Sequence, residues 1–143
     1  MHERSVTVVE SGNGPYGQSI TAGGHVLAAD EPVELGGRNG GPDPYELLLS
    51  ALGACTAMTI RMYADRRKLR LERVEVRLRH AQRASTQSGI PDRFERMITL
   101  IGELTPDERR KLLEIAEKCP VSQTLQRSSI VTSGLADAAT ARA

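Results

Sequence analysis

Between Leu47 and Met62 the only polar side chains are those of Ser50, Thr56, Thr59 and Arg61. At 3.6 residues per turn the other residues surround the axis, so a helix here must be covered on most of its sides. The run therefore predicts a central helix with the rest of the chain built around it. Its start is marked: Asp43 can be the N-cap, Pro44 suits the first helical position, and Glu46 stands where a capping box needs an acid. Its end is expected near Arg67, where Arg66, Arg67 and Lys68 gather, with Arg70 and Arg73 close behind. Cations there meet the negative pole of the helix dipole. This cluster has no interleaved aromatics on which bases could stack, and reads as a solvated helix end, not a nucleic-acid site. No stretch approaches the ~18 consecutive apolar residues of a membrane span, so none is expected.

Strands are expected on both sides of the helix. Ser5–Glu10 is rich in β-formers, Gln18–Ile20 and His25–Ala28 are short candidates, and the Gly12–Gly17 segment between them is turn chemistry. Beyond the helix, Val74, Val76 and Leu78 alternate with Glu75, Arg77 and Arg79, as in a half-buried strand. Arg96–Gly102 is the expected return strand. Thr105-Pro106-Asp107-Glu108 repeats the capping-box signal, and a helix opening there places Leu112, Ala116 and Cys119 on one face. Pro120 interrupts that helix and can open a further short one through Gln126. Ser129–Thr132 is expected as a last strand, and 135–143, rich in small residues, as a frayed tail. The order defines an α+β domain spanning about residues 1–134. At 143 residues, 39% hydrophobic and 26% charged, the chain has the size and balance of one globular domain. With one Phe, three Tyr and no Trp, its core must be aliphatic. A net charge of +1 gives no global field to gather nucleic acid or anionic membrane. Met1–Glu10 has no apolar stretch of a signal peptide, which points to the cytoplasm.

The glycine-rich loop Gly36–Pro42 lacks the Lys-Ser/Thr ending of a phosphate-binding loop and reads as a flexible connector. The two cysteines, Cys55 and Cys119, stand 64 residues apart. Neither belongs to a Cys-x-x-Cys unit, and His2, His25 and His80 are scattered, so no zinc set is expected. Each cysteine lies on an apolar helix face. They can therefore be inert core residues, or a pair brought together by folding. Cys119 directly precedes Pro120. If a helix begins there, its free N–H groups and positive pole favour a thiolate. Cys55, in mid-helix, gets no such help from its own helix.

The segment Gly41-Pro42-Asp43-Pro44-Tyr45-Glu46-Leu47-Leu48-Leu49-Ser50-Ala51-Leu52-Gly53-Ala54-Cys55-Thr56-Ala57-Met58-Thr59 resembles the first cysteine motif of the OsmC/Ohr family. Cys119-Pro120-Val121-Ser122 resembles the second. Tyr63-Ala64 and the strand at Val74 are similar to the OsmC-like branch. The resemblance implies an OsmC-like fold, with antiparallel sheets around a long buried central helix, in an intertwined homodimer. It also implies a thiol-dependent peroxidase acting on organic hydroperoxides, with Cys55 as nucleophile and Cys119 as resolving cysteine. No bound cofactor is implied; an external dithiol such as a lipoyl group would restore the thiols.

Two departures from the family pattern stand out. The Ohr branch carries an activating Arg in its N-terminal hairpin, whereas here no Arg or Lys lies between Arg4 and Arg38. Arg38 is the nearby candidate. The family often places Glu directly after the helix-opening Pro; here Tyr45 takes that place and Glu46 follows. Glu46 is then either a helix cap or a group serving Cys55 from the other subunit. These departures motivate the alternative function, a stress-related OsmC-like binding module with a slow or inactive thiol pair.

Overall fold

The computed structural model describes residues 3–137. Its first unit is a three-stranded antiparallel meander of β1 (Val6–Glu10), β2 (Gln18–Ala22) and β3 (His25–Ala29). Gly23 and Gly24, both with positive φ, join β2 to β3 in a two-residue turn whose twist suits a hairpin. A short 3-10 turn at Val33–Leu35 leads into the glycine-rich loop. This loop is not the expected flexible connector. It is wound around the buried Asp30, whose carboxylate accepts from the backbone N–H groups of Glu31 (2.7 Å), Gly40 (3.0 Å) and Arg38 (3.3 Å). Gly37 is buried in the wrap, where a β-carbon would overlap the Glu31 carbonyl.

Helix α1 spans Pro44–Arg66 and carries the expected capping box: Asp43 accepts from the Glu46 amide and Glu46 from the Asp43 amide. The chain leaves it through Lys68 in the left-handed region and enters a long antiparallel hairpin, β4 (Arg70–Gln82) with β5 (Arg93–Glu103). Val74, Val76, Leu78 and His80 pair with Leu100, Ile98, Arg96 and Phe94, forming the half-buried face. That face receives α1 so closely that a β-carbon on Gly53 would stand 2.7 Å from Leu78 Cδ1. Helix α2 (Pro106–Ala116) opens on the second capping box, at Thr105 and Glu108, and α3 (Pro120–Gln126) follows with Cys119 as its N-cap. The core is small and aliphatic: Ile60, Ala64, Leu71, Leu112 and Ala116, flanked by Tyr63, Val74, Ile98 and Leu100.

Three expectations need correction. Ser129–Thr132 forms no strand; Ile130 and Val131 are about 90% exposed (92% and 89%), because no strand edge lies beside them within this chain. Helix α1 passes, by length and composition alone, as long and apolar enough to cross a bilayer. Yet one face packs on β4 and α2, and Arg61 donates to the carbonyls of Leu71 and Glu72. Finally, α1 is not covered on most sides within this chain: only Leu52, Gly53, Thr56, Ile60 and Ala64 are buried. Ala51, Ala54, Met58 and Met62 line an exposed stripe at helical spacing. The expected tail, 135–143, falls largely outside the described residues.

Candidate functional site

The cysteines meet where α1 passes the start of α3. Cys119 is fully buried and Cys55 half-buried, both are free thiols, and they lie close enough for each to shift the other's ionisation. The local structure follows from the sequence. Pro120 has no N–H to lose at the first helical position, and the Cys119 carbonyl accepts the first helical bond, from Gln123 (3.1 Å). The amides of Val121 and Ser122 consequently turn toward sulfur. The Thr56 hydroxyl, which donates to the Leu52 carbonyl at 2.7 Å, and the Thr59 hydroxyl stand near enough to Cys119 and Cys55 respectively to favour their thiolates.

Charge is distributed unequally over the pair. Burial acts to raise the Cys119 thiol, but Cys55, the Ser122 amide, the Thr56 hydroxyl and the Val121 amide outweigh it and hold this thiol below its ordinary value. Burial, and the neighbouring Cys119, push the Cys55 thiol up; the Val121 amide and Thr59 oppose this only in part. Of the two, Cys119 therefore gives up its proton first, and access from outside is through Cys55. The helix-start argument from the sequence thus agrees with the direction of the Cys119 shift.

Several residues around the pair lie outside both cysteine motifs. Arg96 on β5 donates to Thr56 Oγ1 (2.8 Å) and Ser122 Oγ (3.3 Å) and stands 3.5 Å from the Glu117 carboxylate. Its side chain is only 12% exposed. The sequence signal was available: Arg96 is the charged residue in the inward register Phe94, Arg96, Ile98, Leu100. A groove of about 870 Å3 opens beside it, with Tyr45, Leu48, Leu52, Phe94 and Leu125 as its apolar wall. At its rim His80 lies between the rings of Tyr45 and Phe94 and bonds Asp92 (2.8 Å).

The other two candidates lie elsewhere in this chain. The stem of Arg38 lies over Gly14 in the β1–β2 turn, its backbone N–H bonds Asp30, and its guanidinium is not among the leading groups acting on either thiol. Glu46 is engaged in the α1 cap. Among the described residues, no group of three or more His, Cys, Asp or Glu could hold a metal ion.

Fold and site together define an α+β domain with two thiols paired at a helix start. The family model of OsmC-like proteins matches residues 37–133. The chain belongs to that family. No curated protein matches it. Among solved structures it is similar to the OsmC-like protein of Mycoplasma pneumoniae, with 17% identity, a TM-score of 0.73 and coverage of 87% of this chain and 88% of that one. It is similar also to an organic hydroperoxide resistance protein OsmC of Legionella pneumophila (23% identity, TM-score 0.67, coverage 88% and 90%). A third is an OsmC-like protein of unknown function from Vibrio cholerae (14% identity, TM-score 0.68, coverage 87% and 94%). At these identities the likeness is one of fold.

Proposed function

We propose that the protein is a thiol-dependent peroxidase that reduces organic hydroperoxides. The observation that carries this reading is the close pair of free thiols, one accessible and one held toward the thiolate. Cys55 is the nucleophile because it is half-exposed, beside the bare face of α1, whereas Cys119 is sealed. As the Cys55 sulfur attacks the peroxide, its proton passes to Cys119. The O–O bond breaks, leaving a sulfenic acid on Cys55, and the departing alkoxide takes the proton from Cys119 to become the alcohol. Cys119, again a thiolate, attacks the Cys55 sulfur; hydroxide leaves, takes a solvent proton as water, and a disulfide remains. An external dithiol, of lipoyl type, reduces it by exchange.

The reading includes an intertwined homodimer in the cytoplasm. It is supported by the exposed surface of 11183 Å2, against about 7,200 Å2 for a compact monomer of this mass. The β1–β3 sheet has no extensive packing against α1 or the β4–β5 hairpin, and one face of α1 is bare. In the dimer each sheet covers the other subunit's helix, Arg38 brings a cation to Cys55 across the interface, and Glu46 anchors the helix start. Turnover of cumene hydroperoxide with dihydrolipoamide tests the reading. Cys55→Ser is expected to abolish it and Cys119→Ser to stall it at the sulfenic acid; undiminished turnover in Cys55→Ser removes Cys55 from the mechanism.

The placement of Arg38 in the loop against the β1–β2 turn, rather than beside the thiols of its own subunit, favours one alternative, a stress-related binding module that uses the groove and leaves the thiols idle. That reading predicts unchanged thiols after exposure to peroxide.

A further inference from the structure

We propose that Arg96 is a positioning residue for the thiol pair, acting on Cys119 through the Thr56 hydroxyl and the first turn of α3. The proposal rests on the paired-thiol reading but concerns a residue outside both cysteine motifs. Its basis is a charge that the local structure leaves only partly matched. A guanidinium 12% exposed must find anionic partners, because a buried unpaired cation is costly. Two of its three named partners, Thr56 Oγ1 and Ser122 Oγ, are neutral. The third, Glu117, is 67% exposed and 3.5 Å away, where water screens the attraction. The remaining buried group able to carry negative charge at that spot is Cys119, which shares Thr56 and the Ser122 segment with Arg96.

The hydrogen-bond directions make the link specific. Arg96 has donors only, so it fills a lone pair on Thr56 Oγ1 and forces that hydroxyl to act as donor. Thr56 has two acceptors in reach, the Leu52 carbonyl at 2.7 Å and the Cys119 sulfur. A bond to a thiolate is charge-assisted and the stronger of the two. By gripping Ser122 Oγ, which Gln126 also holds at 2.9 Å, Arg96 fixes the turn whose amides face Cys119. The depressed Cys119 thiol fits this arrangement. The charged groups around the network are Glu117 from the end of α2, Cys55 from α1, and Asp92 and Arg93 on the groove wall.

The test is the pH titration of the thiols, followed by thiolate ultraviolet absorbance and by the alkylation rate, in Arg96→Met, Arg96→Lys, Thr56→Val and the double variant Arg96→Met/Thr56→Val. Arg96→Met is expected to raise the midpoint of the more acidic thiol by about one unit, a tenfold loss of thiolate at neutral pH. Arg96→Lys should restore part of the shift. The double variant should fall short of the sum of the singles, because the two residues act in series. Should Arg96→Met fail to fold, Thr56→Val and Arg96→Lys carry the same comparison. An unchanged midpoint in folded Arg96 variants, or strict additivity with Thr56→Val, overturns the proposal. The titration needs no peroxide, so a midpoint shift in a protein without peroxidase activity would refute the enzyme reading and leave the role of Arg96 standing.

Discussion

Asp30 and Cys119 are held by the same device: a buried group able to carry negative charge, surrounded by backbone amides. For Asp30, the amide of Gly40 acts most strongly, with burial opposing and Glu31, Arg38 and the Arg38 charge adding, and the carboxyl sits below its ordinary value. The sign follows directly. A carboxyl that binds its proton less readily when folded adds stability above its unfolded value, near ~4, and that stability is lost as pH falls through the folded value. The loop at 36–41 should therefore loosen in acid. Hydrogen exchange at the Gly40 amide is expected to accelerate beyond its intrinsic rate below pH ~4, and Asp30→Asn to exchange fast at every pH. At this scale the sequence is legible where chemistry is local: the Cys119-Pro120 step announces a helix start that places the Cys119 thiol beside free backbone amides. Arg96 and Asp30 were missed because their meaning lies in residues 8 to 40 positions away.

Element boundaries marked by caps were read correctly, since a capping box is a contact between neighbours three residues apart. Asp43→Ala should cost about 1 kcal/mol, seen as a lower Tm with unchanged thiol titration, because Cys55 lies three turns further on. The β4–β5 hairpin runs past the alternating segment that marked it. Its outer end is closed by cross-strand pairs, Arg79 with Glu95 (2.7 Å) and His80 stacked on Phe94, which no single strand's pattern contains. Ser129–Thr132 has the composition of a strand but no partner within this chain, and a strand without a neighbour has no ladder to join.

For the whole molecule, the apolar run of α1 demanded a cover that one copy of the chain does not supply. Val6, Val8, Val9, Val26 and Leu27 are each at least half exposed (50% to 71%) on a sheet whose extensive contacts are among its own strands. Light scattering should give twice the 15.5 kDa chain mass. Met58→Asp, placed in the bare stripe of α1, should produce monomers or aggregates. A stable monomer of the native chain at micromolar concentration would contradict the intertwined assembly. The fold class was legible because helix and strand periodicities differ; what covers the bare face of α1 was not, because one chain's pattern names the surface to be covered and not its cover.

The central claim is that two distant cysteines form one working redox pair. Its most direct test is mass spectrometry of the alkylated protein after one equivalent of cumene hydroperoxide per subunit. The account predicts loss of both alkylation sites together and a single peptide pair joined by a Cys55–Cys119 disulfide. Two alkylated, unchanged thiols would contradict it.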